Sequence, residues 1–306
     1  DFTVNSSSTI SGDVTINAGA IIIAAATPFG DQDINVNSGG TLNFNNINYG
    51  GKGSINLNGG TLSASGGTST LSNDSAINLL ANSTIDVASS AELTLSGVIS
   101  GSGSLTKSGS GTLTLSGTNT FSGTVNISAG SLAISNSSAL GTTSGNTTVS
   151  DGATLQISGG ITVAENMYVN GSGVSSNGAV YFLSGKNTYS GAIVLQSNTT
   201  MTSAAGDQTF SGTINGAYDL TITAAGNWSQ QGVIGGSSAL ADFSLTASTG
   251  NVYTWFITAS GSINIFGVDV SQFFLTRITA GYNEDIIISA TGNYSIAYGS
   301  ASNALV

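Results

Sequence analysis

Apolar and polar residues alternate in short runs along this chain. The clearest are Thr112–Leu115 (TLTL), Thr124–Ile127 (TVNI) and Ser131–Ile134 (SLAI), parted by breaks rich in Gly, Ser and Asn. Strict alternation over about four to eight residues marks a half-buried strand. A glycine in each break lets the backbone take a positive φ at little steric cost. The same plan recurs along the rest of the chain. No window shows sustained 3.6-residue periodicity with capping signals, so strands and turns are predicted and helices are not.

The runs repeat at a nearly fixed step. Gly19, Gly39 and Gly59 are spaced by 20, and Ile22, Leu42 and Leu62 keep that step. Upstream of each lies a further strand, in Asp13–Ile16, Asp33–Val36 and Ser54–Leu57; Ala76–Leu80 and Thr84–Ala88 take the next places. In the centre, Gly130–Ile134 answers to Gly152–Ile157. Asn119–Ile127 answers to Asn187–Leu195, with Gln208–Ile214 as a third copy. In these three copies Phe121, Tyr189 and Phe210 each precede Ser-Gly, so an aromatic is expected to stack beside a turn glycine. A period near 20 with two or three strands has a direct physical reading. Each period is one closed coil, and the next coil pairs with it through parallel backbone hydrogen bonds about 4.8 Å further on. Alternate side chains fill a narrow apolar core, which only stacking can complete. The expected fold is all-β, a single-stranded parallel β-helix (β-solenoid) of ~20-residue coils. It would have about 15 coils and an axial length of about 70 Å.

The texture changes near Asp219. Spacings lengthen, Leu220 to Leu245 being 25, so the organisation expected is residues 1–218 as regular solenoid and 219–306 as aromatic-richer coils. Tyr253, Trp255, Phe256, Phe266, Phe273, Phe274, Tyr282, Tyr294 and Tyr298 gather there. They predict either a wider, better-packed coil or an exposed patch for a partner, with Trp255, Phe256, Phe273 and Phe274 as its candidates. Solenoids need polar caps against edge-to-edge addition, and none is recognisable. Either longer protein continues at both ends, or subunits join end to end in a contact that does not close. The candidate assembly interface is Phe2, Val4, Ile10, Ile286, Ile288, Ile296, Leu305 and Val306. A strand-like Phe2-Thr3-Val4 directly after Asp1 points to a removed leader or to a piece of a longer chain.

Composition narrows the partners. Charged residues are 6% of the chain, against about 25% in a typical domain, so Ser, Thr, Asn and Gly must form the outside. Hydrophobic residues reach 39% and alternate, which argues for order. The net charge is −11, with only Lys52, Lys107, Lys186 and Arg277 as cations. Such a chain cannot neutralise a run of phosphates or lie on an anionic membrane, so neither nucleic acid nor a membrane is expected as partner. The longest apolar run, Ala18–Ala26, is about half the ~20 residues a spanning helix needs.

The stretch Leu105–Gly123, LTKSGSGTLTLSGTNTFSG, closely resembles the autotransporter-associated β-strand repeat of large bacterial exoproteins. The residues that carry the likeness are Leu105, Thr106, Lys107, Gly109, Gly111, Leu113, Leu115, Gly117, Asn119, Thr120, Phe121 and Gly123. Leu220–Ala247, with GVIGGSSALADFSLTA, looks like the repeats of filamentous-haemagglutinin-type surface proteins. Together they imply a right-handed parallel β-helix, secreted or displayed at the cell surface. The repeat is a scaffold in that family and brings no functional residues with it.

Candidate chemistry is sparse. With no His and no Cys, disulfides, usual zinc sites and His-based nucleophile arrangements cannot be built. A β-helix carbohydrate enzyme would need converging carboxylates. Glu284 and Asp285 near Arg277, with Asp269 upstream, are the best candidates, but neighbours on a strand face opposite sides. Asp31-Gln32-Asp33 is a weak calcium signal. Gly101-Ser102-Gly103 and Gly109-Ser110-Gly111 precede no P-loop lysine. The Asn-x-Ser/Thr triplets at Asn5, Asn73, Asn82, Asn126, Asn136, Asn146, Asn198 and Asn227 fit stacked asparagine ladders better than glycan sites. No catalytic residue, metal or cofactor is expected. The expected function is a structural segment or subunit of an extracellular bacterial fibre or sheath, whose partner is a second copy or flanking exoprotein segments. The alternative is an adhesin shaft touching host surface or glycan, and a polysaccharide lyase or hydrolase using Asp285 stands third.

Overall fold

A computed structural model describes residues 1–6, 12–72, 76–254, 257–268, 270–275, 286–290 and 294–298. They form about 12 parallel β-coils of about 21 residues each. Among the described residues the only helical element is a three-residue 3-10 turn, Val174–Ser176. The step is not constant: it reaches 26 around Val169 and Leu195, which pair in register. The contacts divide the chain into two compact units, Asp1–Leu155 and Gln156–Val306.

In the first unit each coil crosses three walls. One coil runs from Ile77–Leu79 through Ser83–Val87 and Ala91–Leu95 to Ile99–Gly101, where the next begins. The sequence alternates because inward side chains meet the same position one coil away. Leu42, Leu62, Ile85, Lys107, Ile127 and Val149 form one inward column. Leu71, Leu95, Leu115 and Ile134 form another, and Ile34, Ile55, Ile77 and Ile99 a third. Nearly all of these side chains are fully buried. Each buried Leu or Ile stabilises by about 1.5–3 kcal/mol, but only with coils on both sides of it.

The second unit repeats the plan with more aromatics. Met201, Ile222, Leu245 and Ile265 make one inward column. A separate wall stacks Asn187–Tyr189, Gln208–Phe210, Trp228–Gln230 and Val252–Thr254. The composition change at Asp219 falls inside this unit, where Thr199 pairs with Leu220 and Leu220 with Phe243.

Two expected registers need correction. Ile21, not Ile22, faces Leu42, because Gly19 stacks on Gly40 rather than Gly39 and the first step is 21. Leu220 faces Phe243, and Leu245 faces Ile222. In the second case the apolar residues two apart on each strand are indistinguishable by spacing alone.

Two asparagine ladders exist, and their members are other asparagines than those of the Asn-x-Ser/Thr triplets. Asn56 Nδ2 donates to Asn35 Oδ1 at 2.9 Å, and Asn78 Nδ2 to Asn56 Oδ1 at 2.7 Å. Ser100 Oγ extends the line by donating to Asn78 Oδ1 at 2.8 Å. A second ladder joins Asn58 to Asn37 and Asn37 to Asn17. Turn carboxylates and amides do the same for the next coil's backbone: Asp33 Oδ1 accepts from Ser54 N, Asn82 Oδ1 from Ser104 N and Asn198 Oδ1 from Asp219 N.

Candidate functional site

The segment most specific in the sequence, residues 105–134, builds one and a half coils of the first unit. Leu105–Ser108 and Thr112–Leu115 form two walls, and Val125–Ile127 and Ser131–Ile134 stack on them. Between Leu105–Ser108 and Thr112–Leu115 the chain turns through Gly109, whose φ is 70°. A Cβ at Gly109 would stand 2.1 Å from the Val87 carbonyl oxygen, and one at Gly111 2.2 Å from that of Ala88. Both must be glycine because the turn rests directly on the coil before it.

Lys107 occupies an inward position and is fully buried. Its aliphatic stem fills the column between Ile85 and Ile127. Its Nζ donates to the carbonyls of Ser108 at 2.7 Å, Gly109 at 2.7 Å and Ala129 at 3.2 Å. An ammonium has three N–H donors, so the cage satisfies it. Burial lowers its pKa from 10.5 to about 8, partly offset by the carboxylate of Asp86, which Ser108 Oγ holds at 2.6 Å.

Asn119 and Phe121 follow on the third wall, both buried. Asn119 Oδ1 accepts from Ile99 N at 2.9 Å, and its Nδ2 donates to Ala139 O at 2.6 Å. One carboxamide thus clamps the coil before and the coil after. Ser122 then leaves the core, and Gly123 would place a Cβ 2.2 Å from the Gly103 carbonyl oxygen. The second unit uses the same device at Asn187. Asn187 Oδ1 accepts from Gly160 N and Ile161 N, and its Nδ2 donates to Gln208 Oε1. Tyr189 and Phe210 are buried, with rings stacked at 6.1 Å and 25°. Gly191 and Gly212 sit against the carbonyls of Glu165 and Gly191. Each of these glycines is required by carbonyl contact with the coil before it, and the aromatic two places earlier is buried.

Burial of Lys107, Asn119, Asn187 and Gln208 was not foreseen. A signal existed: Lys107 is in phase with Leu105, and Asn or Gln recurs two places before each aromatic.

Other candidates fall as follows. Phe2 is 67% exposed and Val4 buried, on a strand paired with Gly19–Ile23. Ile286 and Ile288 lie on Ile286–Ala290, which pairs with Ile263–Gly267. Phe273 and Phe274 lie on Val270–Leu275, opposite Ile296 and Ala297 across a bulge. Ile10, Trp255, Phe256, Leu305 and Val306 lie outside the described residues, as do Asp269, Arg277, Glu284 and Asp285. Among the described residues no three His, Cys, Asp or Glu side chains cluster as metal ligands would, and Asp33 is engaged at Ser54. A shallow cleft of about 350 Å³ opens at a corner of the first unit, where Glu92, its sole titratable lining group, accepts from Thr68 Oγ1. Among the described residues no helix is long and apolar enough to cross a membrane.

The class this geometry defines is a parallel β-solenoid with a regular stack of inward columns. Residues 105–134 match the family described as passenger-associated-transport-repeat. That match and the coils fit an autotransporter passenger repeat. No curated protein and no solved structure matches the chain.

Proposed function

We propose that this chain is the shaft of an exported passenger, a stiff spacer held at or beyond the cell surface. The single observation that carries the reading is that the passenger repeat forms an ordinary coil, with Leu113 and Leu115 in the same columns as Leu93 and Leu95 before them and Leu132 and Ile134 after. Its distinctive residues serve stacking: Lys107 and Asn119 bond to backbone, and Gly109, Gly111 and Gly123 touch carbonyls. None is aimed at a substrate, and the proposed role is mechanical, without catalysis. Antibody against this chain should label intact producing cells or their medium. Label appearing only after permeabilisation would overturn the reading.

The finer proposal is a fibre made by end-to-end stacking, in which Phe2–Val4 meets the Ile286–Ala290 region of a second copy. Its support is that Phe2–Val4 and Ile286–Ala290 both belong to parallel ladders, and that a weakly charged outside limits repulsion. Electron microscopy of the purified chain at several concentrations should show filaments, and deletion of residues 2–10 should abolish them. Short rods at every concentration would sink it.

A second reading, an adhesin shaft, rests on Phe266 and Ile287. They are 47% and 44% exposed on paired strands. Phe266→Ser should then lower binding to host cells or glycan without altering length; unchanged binding would remove this reading.

A further inference from the structure

Aliphatic columns are degenerate in register. Side chains alternate with period two, so sliding a strand by two residues returns apolar groups to the core. Val125 and Ile127 would serve nearly as well two places along, and so would Leu113 and Leu115. Lys107 breaks this degeneracy. It is a charged group in a column of Leu, Ile and Val, and its ammonium is satisfied only where three carbonyls converge.

Those carbonyls come from two coils. Ser108 and Gly109 belong to the lysine's own turn, and Ala129 to the turn of the next coil. Neighbouring turns close on themselves: Ala91 N donates to Ala88 O at 2.9 Å, and Ala153 N to Ser150 O at 3.0 Å. At the lysine the ammonium takes over that duty and binds successive turns together. An offset of two residues would carry Ala129 O away and leave a buried charge short of a partner, which is strongly destabilising.

We propose that Lys107 is the register pin of the repeat, its caged ammonium selecting one alignment of Leu105–Ser108 against Val125–Ile127. The selection acts when the strands first pair, and it is independent of where the protein resides.

The chain has no cysteine, so disulfide trapping reads the register without background. Thr106 and Asn126 are partners across the ladder, and both side chains point outward. Thr106→Cys with Asn126→Cys reports the native alignment. Thr106→Cys with Thr124→Cys or Ser128→Cys reports an offset of two, for which the native Cα separation of roughly 8 Å is beyond disulfide reach. Each pair is unfolded in denaturant, refolded and oxidised, with and without Lys107→Met. With Lys107 present, the native pair should dominate. With Lys107→Met, the ratio of offset to native product should rise by about tenfold or more. A Lys107→Met chain that refolds with the native cross-link alone overturns the proposal. If Lys107→Met stays unfolded, Lys107→Gln, which keeps an N–H donor in the column, decides it: offset product supports the pin, and native product alone overturns it.

Discussion

Phe210 and Trp228 stack with ring centroids 4.4 Å apart and planes 19° from parallel, yet they are not register partners. Phe210 faces Gln230, and Trp228 faces Gln208. The rings meet diagonally because polar and aromatic residues exchange columns between these two coils. Phe182 closes the group edge-on, 5.4 Å from Phe210 and 6.3 Å from Trp228.

Truncating this cluster should open a large cavity. Trp228→Ala is expected to destabilise the second unit by about 3–5 kcal/mol. Trp228→Phe should cost far less, since the indole Nε1 is buried without a partner and its removal relieves an unpaired donor. Hydrogen exchange of the Gln208–Phe210 amides measures both. Equal losses for the two variants would contradict this account of the indole.

The glycine contacts give a sharper contrast. A Cβ at Gly212 would lie 1.8 Å from the Gly191 carbonyl oxygen, whereas one at Gly50 meets nothing nearer than 3.8 Å. Gly212→Ala should lower stability by roughly 1–3 kcal/mol or more, and Gly50→Ala should be nearly neutral. Denaturant midpoints of the two variants check the difference.

Stability should vary with pH in opposite senses on either side of pH 10. In the folded chain Lys107 releases its proton near pH 8, and in the unfolded chain near 10.5. Between these values the unfolded state binds more protons, so stability rises with pH. Tyr49 runs the other way: desolvation lifts its pKa from 10.0 to about 12, so stability falls as pH climbs through that range. Burial and the nearby Glu165 raise Tyr189 also. Urea melts from pH 7 to 11 should pass through a maximum near pH 10. Lys107→Met should remove the rise, and Tyr49→Phe should soften the fall.

Asn187 is a buried carboxamide with both ends engaged. Asn187→Ala should strand the Gly160 and Ile161 amides and destabilise by roughly 2–3 kcal/mol. Asn56→Ala, in the half-buried ladder, should cost only about 1 kcal/mol. Thermal melts of the two variants order the effects; an equal or reversed order would refute the clamp.

Strands were legible because alternation is itself the product of inward columns, as Thr112–Leu115 shows. The aromatic-Ser-Gly turn was legible because one geometry recurs three times. Register was less so: Leu220 to Leu245 counts as a repeat, although Phe243 is the partner, because spacing does not tell one inward position from the next. The buried polar groups were hidden for a different reason. Lys107 and Asn119 look like surface residues until the cage and the clamp exist, and each is completed by chain twenty or so residues away. The aromatic residues near Trp255 carry a pattern whose meaning depends on contacts that sequence spacing does not encode.

The asparagine ladder of the first unit has a sense as well as a length. Asn78 gives its amide hydrogens to Asn56, and Asn56 to Asn35, never the reverse. Peeling coils away from the later side therefore uncovers bare carbonyl oxygens, while peeling from the earlier side uncovers NH2 groups. Forwards and backwards along the axis are thus different chemical directions. A force applied at one side would break the line against a different kind of loose end from the same force applied at the other.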